Sequence, residues 1–213
     1  SMVGHFWSGT HWHEPWVAFR NPTFELRNPD SLTFLKEGYD MVDFSFPDLD
    51  GRPISTSDPR FQGKVLLVQV MGSWCPNCVD ETRVLNELYR EYGRDGLEVI
   101  AIAFEKYPDE TKAIQALRRF KQALQVAYPV VHGGRSAKED ASAKLPFLSQ
   151  VMSYPTCIFV DRSGRVRRIH TGFNGPGTGE RFVNYRKDLR SFVEALLKEP
   201  APQLQQASLR SGL

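Results

Sequence analysis

The sequence predicts an α/β layer fold in which a central mixed sheet is flanked by helices, with an extra β-rich or irregular segment at the N-terminus. Three observations carry this prediction. From residue 41 onward, short apolar runs alternate with longer stretches of helical periodicity, the pattern of strand–helix–strand units with parallel middle strands. Two later β-rich runs are joined by Arg162-Ser163-Gly164-Arg165, a Ser-Gly-centred hairpin connection. A final amphipathic stretch carries Phe182, Leu189, Phe192, Val193 and Leu196 on one face, as a closing helix should.

Taken in order, the elements divide into three regions. Residues 1–40 hold Trp7, Trp12 and Trp16 with His5, His11 and His13, broken by Pro15, Pro22 and Pro29. This composition reads as short strands and loops, an extension expected to be the remnant of a β-rich domain. Residues 41–198 form the main domain. It should contain strands at 42–46, 65–71, 97–104, 128–131, 156–161 and 166–171, helices at 76–92, 109–124 and 180–198, and an irregular or helical insertion over 133–150. Residues 199–213, with Pro200-Ala201-Pro202 and a glutamine-rich stretch, are expected to fray into solvent as a disordered tail.

Composition narrows the function classes. The 213 residues carry 27 basic and 25 acidic side chains for a net charge of +2, too little for an electrostatic footprint on nucleic acid or an anionic membrane. No apolar run approaches the about 20 residues that span a bilayer. Ser1-Met2 reads as a cloning remnant, which leaves room for a signal or anchor upstream, and membrane association is expected only through such a segment. Three cysteines are too few for a disulfide scaffold. Cys157 sits in the apolar, β-branched run Thr156-Cys157-Ile158-Phe159-Val160 and is expected to be a buried, inert thiol.

Cys75-Pro76-Asn77-Cys78 falls where an apolar strand gives way to a helix. Cys75 occupies the expected N-cap and Pro76 the first helical position, where its missing N–H costs nothing. Helix N-termini favour thiolates, so Cys75 is the candidate nucleophile. Cys78, one turn inside, is the candidate resolving thiol that would cleave a mixed disulfide. The alternative is half of a zinc site, but no second CxxC or matched histidine pair completes four ligands. Glu81 shares a helix face with Cys78, Leu85, Leu88 and Tyr92. A carboxyl held against the core should have a raised pKa and could trade a proton with Cys78; otherwise it only complements the helix dipole.

A CxxC at the first long strand-to-helix junction is a thioredoxin-like arrangement. Ser73-Trp74-Cys75-Pro76-Asn77-Cys78, Glu81 and Ser153-Tyr154-Pro155-Thr156 together resemble the TlpA/ResA-like thiol-disulfide oxidoreductases, extracytoplasmic members of the thioredoxin-like superfamily related to AhpC/TSA proteins. The resemblance covers residues 40–198. It implies a redox-active Cys75–Cys78 disulfide with no other cofactor, protein thiol or disulfide substrates, an upstream electron donor, and work as a monomeric reductant outside the cytoplasm. It also implies a cis Pro155 facing the dithiol, with the Tyr154 backbone pairing to substrate and Thr156 starting the next strand. Trp74, Pro76 and Asn77 would line the same substrate side, Trp74 as an apolar platform.

Two rival functions start from the same cysteines. A peroxiredoxin-like peroxidase needs a Pro-x-x-x-Thr-x-x-Cys environment, which is missing around Cys75, where Met71 and Gly72 stand. A copper-binding or delivery module usually spaces its cysteines by three residues. His11 and His13 would share one side of a strand with His5 in reach, a metal-binding alternative to simple packing. The Gly172-to-Gly179 loop lacks the Lys-Ser/Thr of a phosphate-binding motif. Arg162, Arg165, Arg167 and Arg168 are expected on a solvated turn and edge.

Overall fold

The computed structural model describes residues 1–8, 10 and 12–201. The chain opens with an antiparallel hairpin of β1 (Met2–Ser8) and β2 (Trp12–Ala18), paired from Met2↔Ala18 to Ser8↔Trp12. A smaller hairpin follows, β3 (Ser45–Pro47) with β4 (Pro53–Ser55). The main sheet comprises β5 (Val65–Met71), β6 (Leu97–Glu105), β7 (Val130–Arg135), β8 (Thr156–Val160) and β9 (Val166–Thr171), in the order β7-β6-β5-β8-β9. Strands β5, β6 and β7 are parallel, while β8 runs antiparallel to β5 and β9 antiparallel to β8. Helices α1 (Pro76–Tyr92), α2 (Glu110–Ala123), α3 (Lys138–Lys144) and α4 (Glu180–Lys198) complete the layers. No helix among the described residues is long and apolar enough to cross a membrane.

The central strand explains the layering. Every residue of β5 is buried, as a parallel strand covered on both faces requires. Leu67 and Met71 enter one core with Leu85 and Leu88 of α1, Leu117 of α2 and Leu189 and Val193 of α4. Leu66, Val68 and Val70 point the other way, against Phe46, Phe61, Phe104 and Phe147. Each fully buried side chain of this size contributes roughly 1.5–3 kcal/mol. Right-handed crossovers place α1 and α2 on the same side of the sheet.

Residues 30–40, grouped with the N-terminal extension on sequence, pack on the main domain. Lys36 N–H donates to the Phe147 carbonyl at 2.9 Å, Leu35 bridges Leu148, and buried Thr33 meets Thr171 at 3.0 Å. Residues 202–213, most of the expected tail, lie outside the described residues.

Three sequence expectations need correction. The strand expected over 42–46 is Ser45–Pro47: Val42, Phe44 and Phe46 do alternate inward, but strand pairing starts at Ser45 against Ser55. The strand expected over 128–131 begins after Pro129, which has no N–H to donate, and continues through two glycines to Arg135. Arg162 and Arg168 are not solvated. Arg162 donates to the carbonyls of Gly63, Asp95 and Leu197. Arg168 pairs with Asp30 and Asp188 with only 16% of its side chain exposed.

Candidate active site

The β5–α1 junction brings Cys75 to the N-cap of α1 with extended backbone (φ −95°, ψ 115°) and Pro76 in the first turn. The Cys78 N–H donates to Cys75 Sγ at 3.4 Å, filling the capping role that an oxygen usually plays. Both cysteines are free thiols, and Cys75 is only 6% exposed. A hydrogen bond from the Cys78 side chain, the N–H groups of Cys78 and Asn77 and the Lys106 cation together outweigh burial and bring the Cys75 thiol down to about 7. Burial, with the Cys75 sulfur beside it, pushes the Cys78 thiol far up. One thiol is thus ready to attack, and the other needs help to lose its proton.

Glu81 sits inside α1 with no exposed surface. Burial raises its carboxyl to about 8, against hydrogen bonds donated by Gln69 Nε2 to Oε2 at 2.9 Å and by Tyr185 Oη to Oε1 at 3.3 Å. The carboxyl acts electrostatically on Cys78 and on Cys157, raising both. Cys157 is fully buried.

The loop leading into β8 closes the site from the other side. The Tyr154–Pro155 peptide bond is cis, and the Cys75 thiol donates to the Tyr154 carbonyl at 3.6 Å. Pro155 is buried, and Thr156 begins β8 with its hydroxyl donating inward to Ser153 at 2.9 Å. The Thr156 side chain therefore supports the loop and has no surface for substrate. Trp74 is half-buried, edge-on to Tyr154 with ring centroids 5.6 Å apart, and its Nε1 donates to the Phe104 carbonyl at 3.0 Å. Pro76 and Asn77 are exposed beside it. The fold thus gathers Trp74, Cys75, Pro76, Asn77, Cys78, Tyr154 and Pro155 at one end of β5, with Glu81 beneath.

Four contributors escape the sequence reading. Lys106 stands 4.2 Å above the Trp74 ring. Buried Glu105 accepts from Ser73 N–H and Oγ, both at 2.8 Å, and so braces the loop before Cys75. Gln69 and Tyr185 hold Glu81. Only Gln69 carries a visible signal, as the one polar residue inside an apolar strand.

The histidines lie elsewhere. His5 Nδ1 and His13 Nε2 are 2.7 Å apart in the N-terminal hairpin, and His13 stacks on Trp7. His11 lies outside the described residues. Among the described residues no group of three or more histidine, cysteine or acidic side chains is arranged to hold a metal.

Comparison with known proteins agrees with this geometry. The redoxin family model matches residues 36–189. The thioredoxin-like protein YneN of Bacillus subtilis is 29% identical over 138 residues, covering 65% of this chain and 73% of the relative. The thiol-disulfide oxidoreductase ResA of Bacillus thuringiensis subsp. konkukian is 29% identical over 154 residues, covering 71% and 78%. A thiol-disulfide isomerase from Corynebacterium glutamicum shares the fold with a TM-score of 0.57 at 20% identity, over 78% of this chain and 100% of that one. The chain belongs to the redoxin family, as a ResA-like thiol-disulfide oxidoreductase of thioredoxin fold.

Proposed function

We propose that this oxidoreductase works as a reductant of protein disulfides outside the cytoplasm, using Cys75 and Cys78 as its only redox group. The observation that carries the reading is the asymmetric thiol pair: Cys75 caps α1 beside the Tyr154 carbonyl, while Cys78 is buried next to Glu81. Cys75 thiolate attacks a substrate disulfide and forms a mixed disulfide, releasing one substrate thiol. Cys78 passes its proton to the Glu81 carboxylate, attacks Cys75 Sγ and releases the second substrate thiol. Two electrons move from the dithiol to the substrate, leaving a Cys75–Cys78 disulfide that an upstream donor must reduce.

The direction is supported by the modest stabilisation of the thiolate. Strongly oxidising relatives hold their nucleophile near 3.5, whereas reducing thioredoxin holds it near 7, the value Cys75 takes. A weakly stabilised reduced form gives its electrons up more readily. The half-buried Trp74–Tyr154 edge offers an extended substrate chain an apolar surface and a backbone carbonyl. One chain carries every group the cycle uses, so a monomer suffices. An alkylation-trapped redox titration against dithiothreitol tests the direction. A two-electron midpoint near the thioredoxin value of about −270 mV is expected, and one near about −120 mV would make the protein an oxidant.

A further inference from the structure

Strand β5 is apolar along its length except at Gln69, which is fully buried. Its backbone is in register with Cys157 of β8, which pairs in turn with His170 of β9. A buried amide is destabilising unless its donors and acceptor find partners, and this one finds three. Nε2 donates to Glu81 Oε2 at 2.9 Å and to the Cys78 carbonyl at 3.4 Å, while Oε1 accepts from Thr82 Oγ1 at 3.0 Å. The Cys78 carbonyl only accepts, so the amide must turn its nitrogen to the Cys78 and Glu81 side. The Thr82 hydroxyl secures the opposite end.

Gln69 therefore touches both the backbone of the resolving cysteine and the carboxyl that takes its proton. We propose that Gln69, locked by Thr82, is a positioning residue that aligns Glu81 to receive the Cys78 proton and favours the ionised form in which it can do so. This rests on the reading of Glu81 as the proton acceptor. Burial favours the neutral carboxyl, and the Gln69 and Tyr185 donors oppose it. Without the amide, Glu81 keeps its proton to higher pH and Cys78 cannot discharge its own. Cys78 then attacks Cys75 Sγ more slowly, although the disulfide formed and the thiolate released are the same.

The titratable groups around Glu81 are Cys75 and Cys78 on α1, Tyr185 on α4, Cys157 on β8 and Tyr128 ahead of β7, with Arg168 on β9 acting on Cys157 and Tyr185. Burial drives Cys157, Tyr128 and Tyr185 upward, away from neutral pH. Cys75 is the one that titrates nearby, and the test reads it separately.

Reduced protein mixed with 5,5′-dithiobis(2-nitrobenzoate) in stopped flow releases one thionitrobenzoate when Cys75 attacks and a second when Cys78 closes the ring. Across pH 5.5–9.5, Gln69→Leu should move the midpoint of the second phase up by about one unit, slowing it about tenfold at pH 7, with the first-phase midpoint unchanged. Thr82→Val should move the second phase in the same direction and Thr82→Ser should restore it. A second-phase midpoint that stays put in Gln69→Leu and Thr82→Val, or phases that shift together, overturns the proposal. Glu81→Gln separates the two ideas. If it leaves the second-phase midpoint in place, the acceptor role of Glu81 fails and takes the proposal with it; if it removes that midpoint while Gln69→Leu shifts nothing, only Gln69 loses its role. Should Gln69→Leu not fold, as read by circular dichroism, the Thr82→Val and Thr82→Ser pair decides alone.

Discussion

Two neighbouring junctions of the same sheet, β5–α1 and β6–α2, share one architecture and do different work. Each leaves a parallel strand and enters a helix through an N-cap residue with extended backbone. At α2 the cap is Asp109, whose carboxylate accepts from Lys112 N–H at 3.1 Å. At α1 the cap is Cys75, whose sulfur accepts from Cys78 N–H at 3.4 Å. A carboxylate caps at any neutral pH, whereas a thiol caps well only once it has become a thiolate, so the same unpaired N–H groups that stabilise α2 activate Cys75. Below the caps the contrast continues. The buried face of α2 is Ala113, Ala116, Leu117 and Phe120, while that of α1 includes Glu81. Gln69 on β5 stands in register with Ala101 on β6. A junction becomes a reactive centre here by exchanging a carboxylate cap for a thiol and placing two polar side chains under it.

Replacing the thiol cap gives the largest effect. Cys75→Ser keeps an N-cap oxygen of a preferred kind and removes the nucleophile. Disulfide reduction, followed with insulin as substrate, should fall to the uncatalysed background. Stability in denaturant should stay within about 1 kcal/mol of the reduced parent, because α1 remains capped. Residual catalysis in this variant would move the attacking role away from Cys75.

The polar residue beneath α1 should show itself next, through stability against pH. The Glu81 carboxyl rises from 4.5 to about 8 on folding, so the native state holds a proton that the unfolded chain has lost. Its contribution is complete below pH 4.5 and declines as pH rises toward 8. At about 1.36 kcal/mol per unit, the reduced protein should lose on the order of 2 kcal/mol between pH 5 and 7 relative to Glu81→Gln. Cys75 acts with the opposite sign, lowered from 9.0 to about 7, and adds stability only as pH rises through 7 to 9. Glu98 and Glu105 are also raised by burial, but both proteins contain them and they cancel in the difference. Parallel unfolding curves across pH 5, 6 and 7 would mean that Glu81 is ionised in the fold.

Both junctions are visible in the sequence at the level of elements, because their strands are continuous apolar runs and Pro76 marks the start of α1. The bounds of β5, α1, β9 and α4 follow from such local signals. β7 does not, since a glycine pair reads as a breaker. In the fold, Gly133 passes so close to Phe104 that a Cβ would strike its ring, Gly134 adopts φ 125°, and a register shift between Ala103 and Phe104 lets the strand continue. In the site, Cys75, Cys78 and Glu81 are legible through spacing on one helix. Their supports are mostly not, because they arrive from distant elements: Tyr185 from α4 and Lys106 from the end of β6, while Gln69 shows only as a lone polar residue in β5 whose partner lies across the layer. Arg162 misleads for a related reason, as its three carbonyl partners lie on separate segments that only the folded chain assembles.

The smallest effect comes from the ordinary junction, and it is the control that gives the comparison its meaning. Asp109→Ala removes the side chain that satisfies the Lys112 N–H at the start of α2. Losing such a cap typically costs about 1 kcal/mol, and α2 buries Leu117 in the same core as Leu85 and Leu88 of α1, so the loss should register as lower global stability. Exchange should not follow it. The dithiol, Glu81 and the Tyr154 loop receive no hydrogen bond from Asp109, and both phases of thionitrobenzoate release should keep their rates and pH midpoints. An Asp109→Ala variant that lost both stability and exchange rate would show that the two junctions are mechanically coupled through their shared core, and the chemistry at α1 could then no longer be assigned to its own thiol cap and buried polar pair.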